Sequence, residues 1–465
     1  MRHRRQDPSL VSLFAGAGGL DLGLENAGFT TVVANELEAH ACETLRANQL
    51  LPSLGPNEFE AWFAEQANQR CYDGAPKSLV ELRRRISAGR RHSYLRNARI
   101  IQCDIRKLGA NDICSAAEIR RAELFMLAGG PPCQPFSRAG KRESVEVADG
   151  RLFLEFVRLV NELKPRWFLF ENVKGLLLTR TDVVSGSCPS CNETRTVTFD
   201  ERECHLQGED CKPRCHVCGK GLTALRASNE RGGSLDIIVQ EFERTGYSCA
   251  WRVLNAADFG APQIRERLFL VGSRDNERFS WPQPTHGETG SGDASQLSLF
   301  TGAHKLPPWR TMIDCLWPKK RHNVFGRLDP DKAVLWVKNV VRPHDEPVTW
   351  TLRRAAPTIG AHQAAKLAIA PKGVPEAQLR RQQWHVLGKR QGDTPPVPVV
   401  HEYLSDEELL RLQTFPENWY LFGTRMQRAF QIGNAVPPML AQAVGEEILR
   451  ASGIAHSGQR AARHA

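Results

Sequence analysis

Cys133 lies in Pro131-Pro132-Cys133-Gln134-Pro135-Phe136-Ser137, just after the apolar run Glu123-Leu-Phe-Met-Leu127 and Gly129-Gly130. A cysteine on a proline-stiffened loop at the carboxyl edge of a sheet is poorly placed for packing. It is well placed as a nucleophile, in its thiolate form. A lone cysteine is more often an inert buried thiol; the prolines and the partners at neighbouring strand tips favour the nucleophile here. Glu171, at the tip of the run Trp167-Phe-Leu-Phe170, can supply a proton or hydrogen bond to a bound ring. Arg265 and Arg267, in Gln263-Ile-Arg-Glu-Arg267, alternate onto one face of an extended segment and can serve the same cavity.

A second group of residues describes a small-molecule site. Gly16, Gly18 and Gly19 follow the strand Leu10–Phe14, at a turn into a helix, and let a ligand approach the backbone and the helix N–H groups. A dinucleotide fingerprint would place its third glycine at position 21, which is Asp21. Glu36, at the tip of the second strand, can accept hydrogen bonds from ribose hydroxyls, and Asp104, at the tip of the third, one from an adenine amino group. Together they outline an adenosyl site without a phosphate clamp. A structural tight turn with two surface carboxylates would look the same.

The third group is a cysteine cluster. Cys188-x2-Cys191 and Cys215-x2-Cys218 are two knuckles that fit a zinc ribbon with four thiolate ligands. Cys204, His205, Cys211 and His216 remain over, as an exchanged ligand, a second site or, more simply, unliganded side chains. The segment Cys188–Cys218 carries four Lys/Arg against six Asp/Glu, so folding a long insertion suits it better than clamping DNA.

The elements that must position these residues alternate. Strands are expected at Leu10–Phe14, Thr30–Ala34, Ile100–Gln102, Glu123–Leu127 and Trp167–Phe170, with a later pair at Ser248–Leu254 and Arg267–Val271. Helices are expected from Leu20, at Ala39–Ala47, Phe153–Leu163, Glu407–Leu412 and Pro437–Leu449. The pattern predicts an α/β fold, a mostly parallel sheet with helices on both faces. Three stretches interrupt it: residues 52–98, residues 181–230 with the cysteines, and a linker at 282–300. From Lys77 to Arg99 there are eight Lys/Arg against Glu81 alone, which reads as a solvated helix face rather than a DNA contact. Residues 304–342 hold nine Lys/Arg against three Asp, with Trp309, Trp317 and Trp336 interleaved.

The motifs Phe14-Ala-Gly-Ala-Gly-Gly, Pro-Pro-Cys-Gln-Pro-Phe-Ser, Glu171-Asn-Val-Lys-Gly175, Gln-Ile-Arg-Glu-Arg and Gly433-Asn-Ala-Val-Pro437 occur in the order seen in C5-cytosine DNA methyltransferases. The chain resembles that family over residues 10–50, 100–180, 234–275 and 402–450. The resemblance implies a Rossmann-like S-adenosylmethionine-dependent methyltransferase sheet, a smaller target-recognition domain and, in this chain, a Cys-rich zinc insertion. It implies that Phe14, Gly16 and Gly18 form the S-adenosylmethionine loop, that Glu36 holds the ribose, and that Asp104 and Ile105 contact adenine. Leu152 matches a further cofactor contact, and Asn434 with Ala435 closes the cofactor cleft. Cys133 matches the nucleophile that adds to C6 of a flipped cytosine, Glu171 the carboxyl group at N3 and the amino group, and Arg265 and Arg267 the lining of the cytosine pocket. Where the family usually has an Arg before Leu-Thr and a helix, this chain has Glu402-Tyr403-Leu404-Ser405, a departure that touches the support between the domains.

The implied organisation is a catalytic domain at 1–275 with insertions 52–98 and 181–230, target recognition at 276–400, a return segment at 401–452 and a frayed tail at 453–465. The basic stretch 304–342 then falls in the recognition region. The implied partner is double-stranded DNA, with a restriction endonuclease as a possible companion and a monomeric, cytoplasmic bacterial enzyme. An RNA cytosine-5 methyltransferase and a non-catalytic zinc-containing DNA binder are the rivals. Composition agrees with a soluble globular chain: 465 residues, 41% apolar and 25% charged. A net charge of +10 permits a nucleic-acid partner without demanding one. The apolar runs are too short to span a bilayer, and Met1-Arg-His-Arg-Arg lacks the apolar segment of a secretory signal.

Overall fold

A computed structural model describes residues 8–68, 83–84, 86–87, 93–132, 151–210, 212–215, 217–288, 306–316, 333–337, 348–364, 367–371 and 402–454. β1 (Ser9–Leu13) turns into α1 (Gly19–Ala27), followed by β2 (Thr30–Glu36), α2 (Ala39–Leu50) and α3 (Pro56–Asn68). Then come β3 (Arg99–Gln102), α4 (Ala110–Ala117), β4 (Met126–Gly129), α5 (Leu152–Leu163) and β5 (Trp167–Val173). The cysteine insertion supplies β6 (Arg180–Cys188), β7 (Glu193–Thr196), α6 (Phe199–Leu206) and β8 (Thr223–Arg231). It is followed by α7 (Gly233–Arg244), β9 (Ser248–Asn255) and β10 (Glu266–Ser273). Further along are β11 (Ala333–Val337), β12 (Val348–Thr351), β13 (Leu367–Pro371), β14 (Glu402–Tyr403), α8 (Asp406–Leu412), α9 (Arg425–Asn434) and α10 (Pro438–Ala451).

The central sheet has the order β3-β2-β1-β4-β5-β10-β9. The first five strands run parallel, as crossover helices require, and β10 is antiparallel to both β5 and β9. β1, β4 and β5 are buried at nearly every position because helices cover both faces. One face packs Val11, Leu127, Phe168 and Phe170 under Phe156 of α5 and Phe242 of α7. The other packs Leu10, Met126 and Leu169 under Leu24 of α1 and Leu440, Val444 and Ile448 of α10. A Cβ on Gly23 would lie 2.3 Å from the Pro438 carbonyl oxygen, so this glycine sets how closely α1 and the final helix approach.

Two smaller sheets flank the large one. β12-β11-β13-β14 is antiparallel, and its Leu335, Leu367 and Ile369 share a core with Ala17, Leu45 and Leu412. The departing residues Glu402-Tyr403-Leu404-Ser405 have a definite place here. Glu402 and Tyr403 pair with Ile369 and Ala368, and Leu404 N–H donates to the Leu367 carbonyl. Ser405 caps α8 in a reciprocal box with Glu408. The third sheet, β7-β6-β8, belongs to the cysteine insertion.

Several expected boundaries move. The fourth strand is Met126–Gly129, and Phe125 instead accepts a backbone hydrogen bond from Trp167 outside it. Phe14 leaves the first strand with φ 55°. In the 52–98 insertion, α3 packs Phe59 and Trp62 on Tyr420, a contact no local period announces. Most of the basic stretch 77–99 lies outside the described residues, as do Trp317 and the greater part of 317–347.

Candidate active site and thiol cluster

The carboxyl ends of β4, β5 and the start of β10 meet at one edge of the sheet. Gly129 is in register with Phe170, which sets Gly130 beside Glu171. A Cβ on Gly130 would fall 2.5 Å from Glu171 Oε2, so the root of the Pro-Pro-Cys segment lies directly on this carboxyl group. Cys133 itself lies outside the described residues. Opposite Glu171 in the antiparallel ladder is Phe269, and Arg267 is two residues away on the same face. Its Nε lies 3.0 Å from Glu171 Oε1, with both side chains about nine-tenths buried (10% and 11% exposed). Burial pushes the Glu171 carboxyl above the ordinary range, against the opposing pull of Arg267 and then Arg265.

Arg265 is placed differently from Arg267. It is fully buried and donates to two backbone carbonyls, Ile359 at 2.8 Å and Gly433 at 2.7 Å. Gln263, also fully buried, accepts from Ile359 N–H at 3.0 Å and donates to the Leu412 carbonyl at 3.2 Å. Backbone bonds between Pro262–Ile264 and Ala356 complete the seam. Arg265 is thus a brace between the large sheet, the segment leading to β13 and the end of α9, while Arg267 faces the carboxyl group.

The glycine turn sits at the neighbouring strand ends. Phe14, Gly16 and Gly18 all have positive φ, at 55°, 54° and 82°. Gly18 and Gly19 are packed tight: a Cβ would meet Leu45 Cδ2 at 2.9 Å and the Val436 carbonyl oxygen at 2.3 Å respectively. At Gly16 the nearest atom would be 4.0 Å away, so this glycine alone of the three faces open space. Glu36 accepts from Gly16 N–H at 2.7 Å, and from Leu37 and Glu38 N–H at 2.7 and 2.9 Å. The carboxylate at the tip of β2 therefore fixes the turn after β1. Trp419, missed from the sequence, clamps the same turn from the far end of the chain through a 3.1 Å bond to the Ala17 carbonyl.

Asp104 caps the short turn Ile105–Lys107 and forms a two-pronged pair with Arg106, with contacts of 3.0 and 2.6 Å. That pair lowers its carboxyl to about 2. Ile105 is buried, Leu152 is half-buried at the start of α5, Asn434 is exposed at the end of α9, and Ala435 is buried against the glycine turn. Asp21, at the position of a missing third glycine, is fully buried beneath the turn. Burial raises its carboxyl to about 7, with the Ser12 hydroxyl pulling the other way.

Cys188, Cys191, Cys215 and Cys218 come together with all four sulfurs within 4.8 Å of one another. Sγ of Cys188 is 3.5 Å from that of Cys218, and Sγ of Cys191 is 3.9 Å from that of Cys215. A tetrahedral metal with ~2.3 Å bonds to sulfur spaces its ligands by roughly 3.8 Å. Backbone N–H groups lower two of the thiols. Cys191 N–H donates to Cys188 Sγ at 3.4 Å, and the Cys218 N–H brings Cys215 down to about 6. Cys204 is outside this cluster, and Cys211 and His216 lie outside the described residues.

The sheet with its antiparallel edge, the glycine turn and the buried carboxyl group describe a nucleotide-type site joined to a second chemical centre. A family model, the C-5 cytosine-specific DNA methylase, matches residues 9–58, 86–187 and 224–450. The chain belongs to this family and is a DNA (cytosine-5-)-methyltransferase. It is 31% identical over 310 residues to the type II methyltransferase M.AquIA of Picosynechococcus sp., covering 67% of this chain and 88% of that one. It is 26% identical to M1.HphI of Haemophilus parahaemolyticus, covering 95% of this chain and 86% of the relative. It is 28% identical to M.PspPI of a Psychrobacter species, covering 95% and 79%. The family match breaks at 59–85 and 188–223, each lying within one of the segments 52–98 and 181–230. Among the described residues, no helix is long and apolar enough to cross a membrane.

Proposed function

We propose that the enzyme methylates C5 of a cytosine flipped out of duplex DNA, through a covalent bond between Cys133 and C6. The observation that carries this reading is the contact of Gly130 with Glu171 and of Glu171 with Arg267. It brings the base of the Pro-Pro-Cys segment and a buried carboxyl group, raised by burial and paired with Arg267, to the same strand tips. C5 of cytosine is too weak a nucleophile to be alkylated unaided. Addition of the Cys133 thiolate to C6, while Glu171 delivers a proton to N3, makes C5 an enamine carbon. After C5 takes the methyl group, removal of the C5 hydrogen, expulsion of the thiolate and return of the N3 proton to Glu171 restore the ring. Arg267 orients Glu171, and Arg265 holds the strand that carries Arg267. The base must leave the stack for C6 to be reached.

S-adenosylmethionine, when bound, supplies an electrophilic methyl group on a sulfonium. The residues fit it. Gly16 leaves room above the turn, and the carboxyl groups of Glu36 and of Asp104, the latter held low by Arg106, stand at neighbouring strand tips where their remaining lone pairs can take ribose hydroxyl and adenine amino hydrogens. Phe14, Gly18, Ile105, Leu152, Asn434 and Ala435 complete the proposed cradle. The four-cysteine cluster holds a structural zinc. Residues 276–400 read the target sequence, with basic and aromatic side chains on phosphates and base edges. The type II names of the relatives support a modification enzyme with a restriction endonuclease as its counterpart.

The test is a duplex with 5-fluorocytosine at the target site. Fluorine cannot leave C5 as a cation, so elimination stalls and the thioether persists. With S-adenosylmethionine present, the protein should remain attached through denaturing electrophoresis. An enzyme active on cytosine that gives no adduct overturns the covalent reading.

A further inference from the structure

The segment that breaks the family match at 188–223 does more than fold itself. Phe199 of α6 is buried in the main core and meets Phe153 of α5 edge to face, with ring centroids 5.8 Å apart. The guanidinium carbon of Arg151 lies 5.8 Å from the centre of the same ring, and Arg151 Nη2 donates to Glu203 Oε1 at 2.7 Å. Arg151 is the N-cap of α5 and gives it no side-chain cap. A cation at that end opposes the helix dipole, so the partner carboxylate of Glu203 offsets an otherwise unfavourable placement. The contacts continue to the thiol cluster. Glu201 caps α6 by accepting from Thr198 N–H at 2.8 Å, and its other oxygen accepts from Arg214 N–H at 3.3 Å, next to Cys215.

We propose that the four-cysteine insertion is a positioning device for methyl transfer: through Phe199 and Glu203 it fixes Arg151–Phe153, where Leu152 joins the proposed cofactor residues. The inference rests on the reading of Cys133 and the metal given above. Glu203, Phe199 and Arg151 are positioning residues, acting through the segment they hold rather than on the base. A metal in the cluster acts at one remove, by keeping the Arg214–Cys215 turn against Glu201.

The experiment is a double-mutant cycle on the full-length, zinc-containing protein with Glu203→Gln, Arg151→Gln and the pair. Single-turnover methyl transfer, S-adenosylmethionine affinity and DNA affinity are measured for each. Each single variant should slow transfer about fivefold and weaken S-adenosylmethionine binding by a similar factor, while DNA affinity stays close to wild type. The pair should be no slower than either alone. The charge-exchanged pair Arg151→Glu with Glu203→Arg should recover most of the rate, which a merely destabilised fold would not. A wild-type rate in Glu203→Gln, or purely additive losses, overturns the inference. Zinc removal by chelator supplies a second arm: protein that stays folded and transfers at the full rate without zinc also overturns it. Cys133→Ser separates the two readings. If it is dead while Glu203→Gln is unimpaired, the positioning role alone falls; if it turns over, the covalent mechanism falls first.

Discussion

At Glu171 two opposed influences act on one proton. Burial raises the carboxyl, and Arg267 at 3.0 Å pulls it back. In the proposed mechanism the protonated form donates to N3, so transfer should fall as pH rises through the raised value. Glu171→Gln cannot deliver a proton and should lose about 10²–10³ in kcat together with that alkaline limb. Arg267→Ala removes the opposing charge, so the limb should move to higher pH; a pH–rate profile checks both. Asp21 carries a pH dependence of stability instead. Its folded value of about 7 lies above the ordinary 3.8. The unfolded chain therefore releases the proton first, and the contribution of Asp21 to stability is fullest below about pH 4 and declines as pH rises to about 7. Asp21→Asn keeps the neutral shape, so its stability relative to wild type should grow across that window in denaturant titrations. A constant difference would remove Asp21 as the source.

The elements differ in how far local sequence determines them. Strands β1, β4 and β5 are legible because both faces are buried and their apolar runs end at Gly16, Gly130 and Glu171. The cysteine knuckles are legible because a knuckle is a local turn whose N–H groups point at its own sulfurs, as Cys191 N–H does at Cys188. Less is visible where a residue's partner lies far along the chain. The alternation of Arg265 and Arg267 places both on one face, yet only tertiary contacts send Arg265 to Ile359 and Gly433 and leave Arg267 with Glu171. The packing of α3 on Tyr420 is hidden for the same reason. For the knuckles, elemental analysis of protein purified without chelator should find about one zinc per chain. Hydrogen exchange should then show β6–β8 losing protection on chelation before the central sheet does, because Cys188, Cys215, Val184 and Val197 form a small core of their own. A metal-free, fully protected insertion would refute the site.

Across the whole molecule, the large sheet and the antiparallel sheet are joined at one seam. Gln263 and Arg265 hold Ile359, Leu412 and Gly433, and Pro262–Ile264 pair with Ala356. The residues that brace the seam, Arg265 and Gln263, are thus two and four positions from the arginine paired with Glu171. On the proposed function, a recognition surface mounted on the antiparallel sheet would be held in fixed relation to Glu171. This predicts which part of the chain can be exchanged. Replacing residues 276–350 with the corresponding segment of a relative leaves Gln263, Arg265, Ala356, Ile359 and Gly433 untouched, so the seam and the strand tips should re-form. The hybrid should methylate cytosine at a rate within about tenfold of the parent, but in the relative's sequence context, since base edges are read by side chains of the exchanged part. Extending the exchange through residue 359 should cost activity on every sequence, because the seam's partners would then come from another protein. Sequencing 5-methylcytosine in host DNA after expression distinguishes these outcomes. An active hybrid that keeps the parent's target sequence would move recognition out of 276–350.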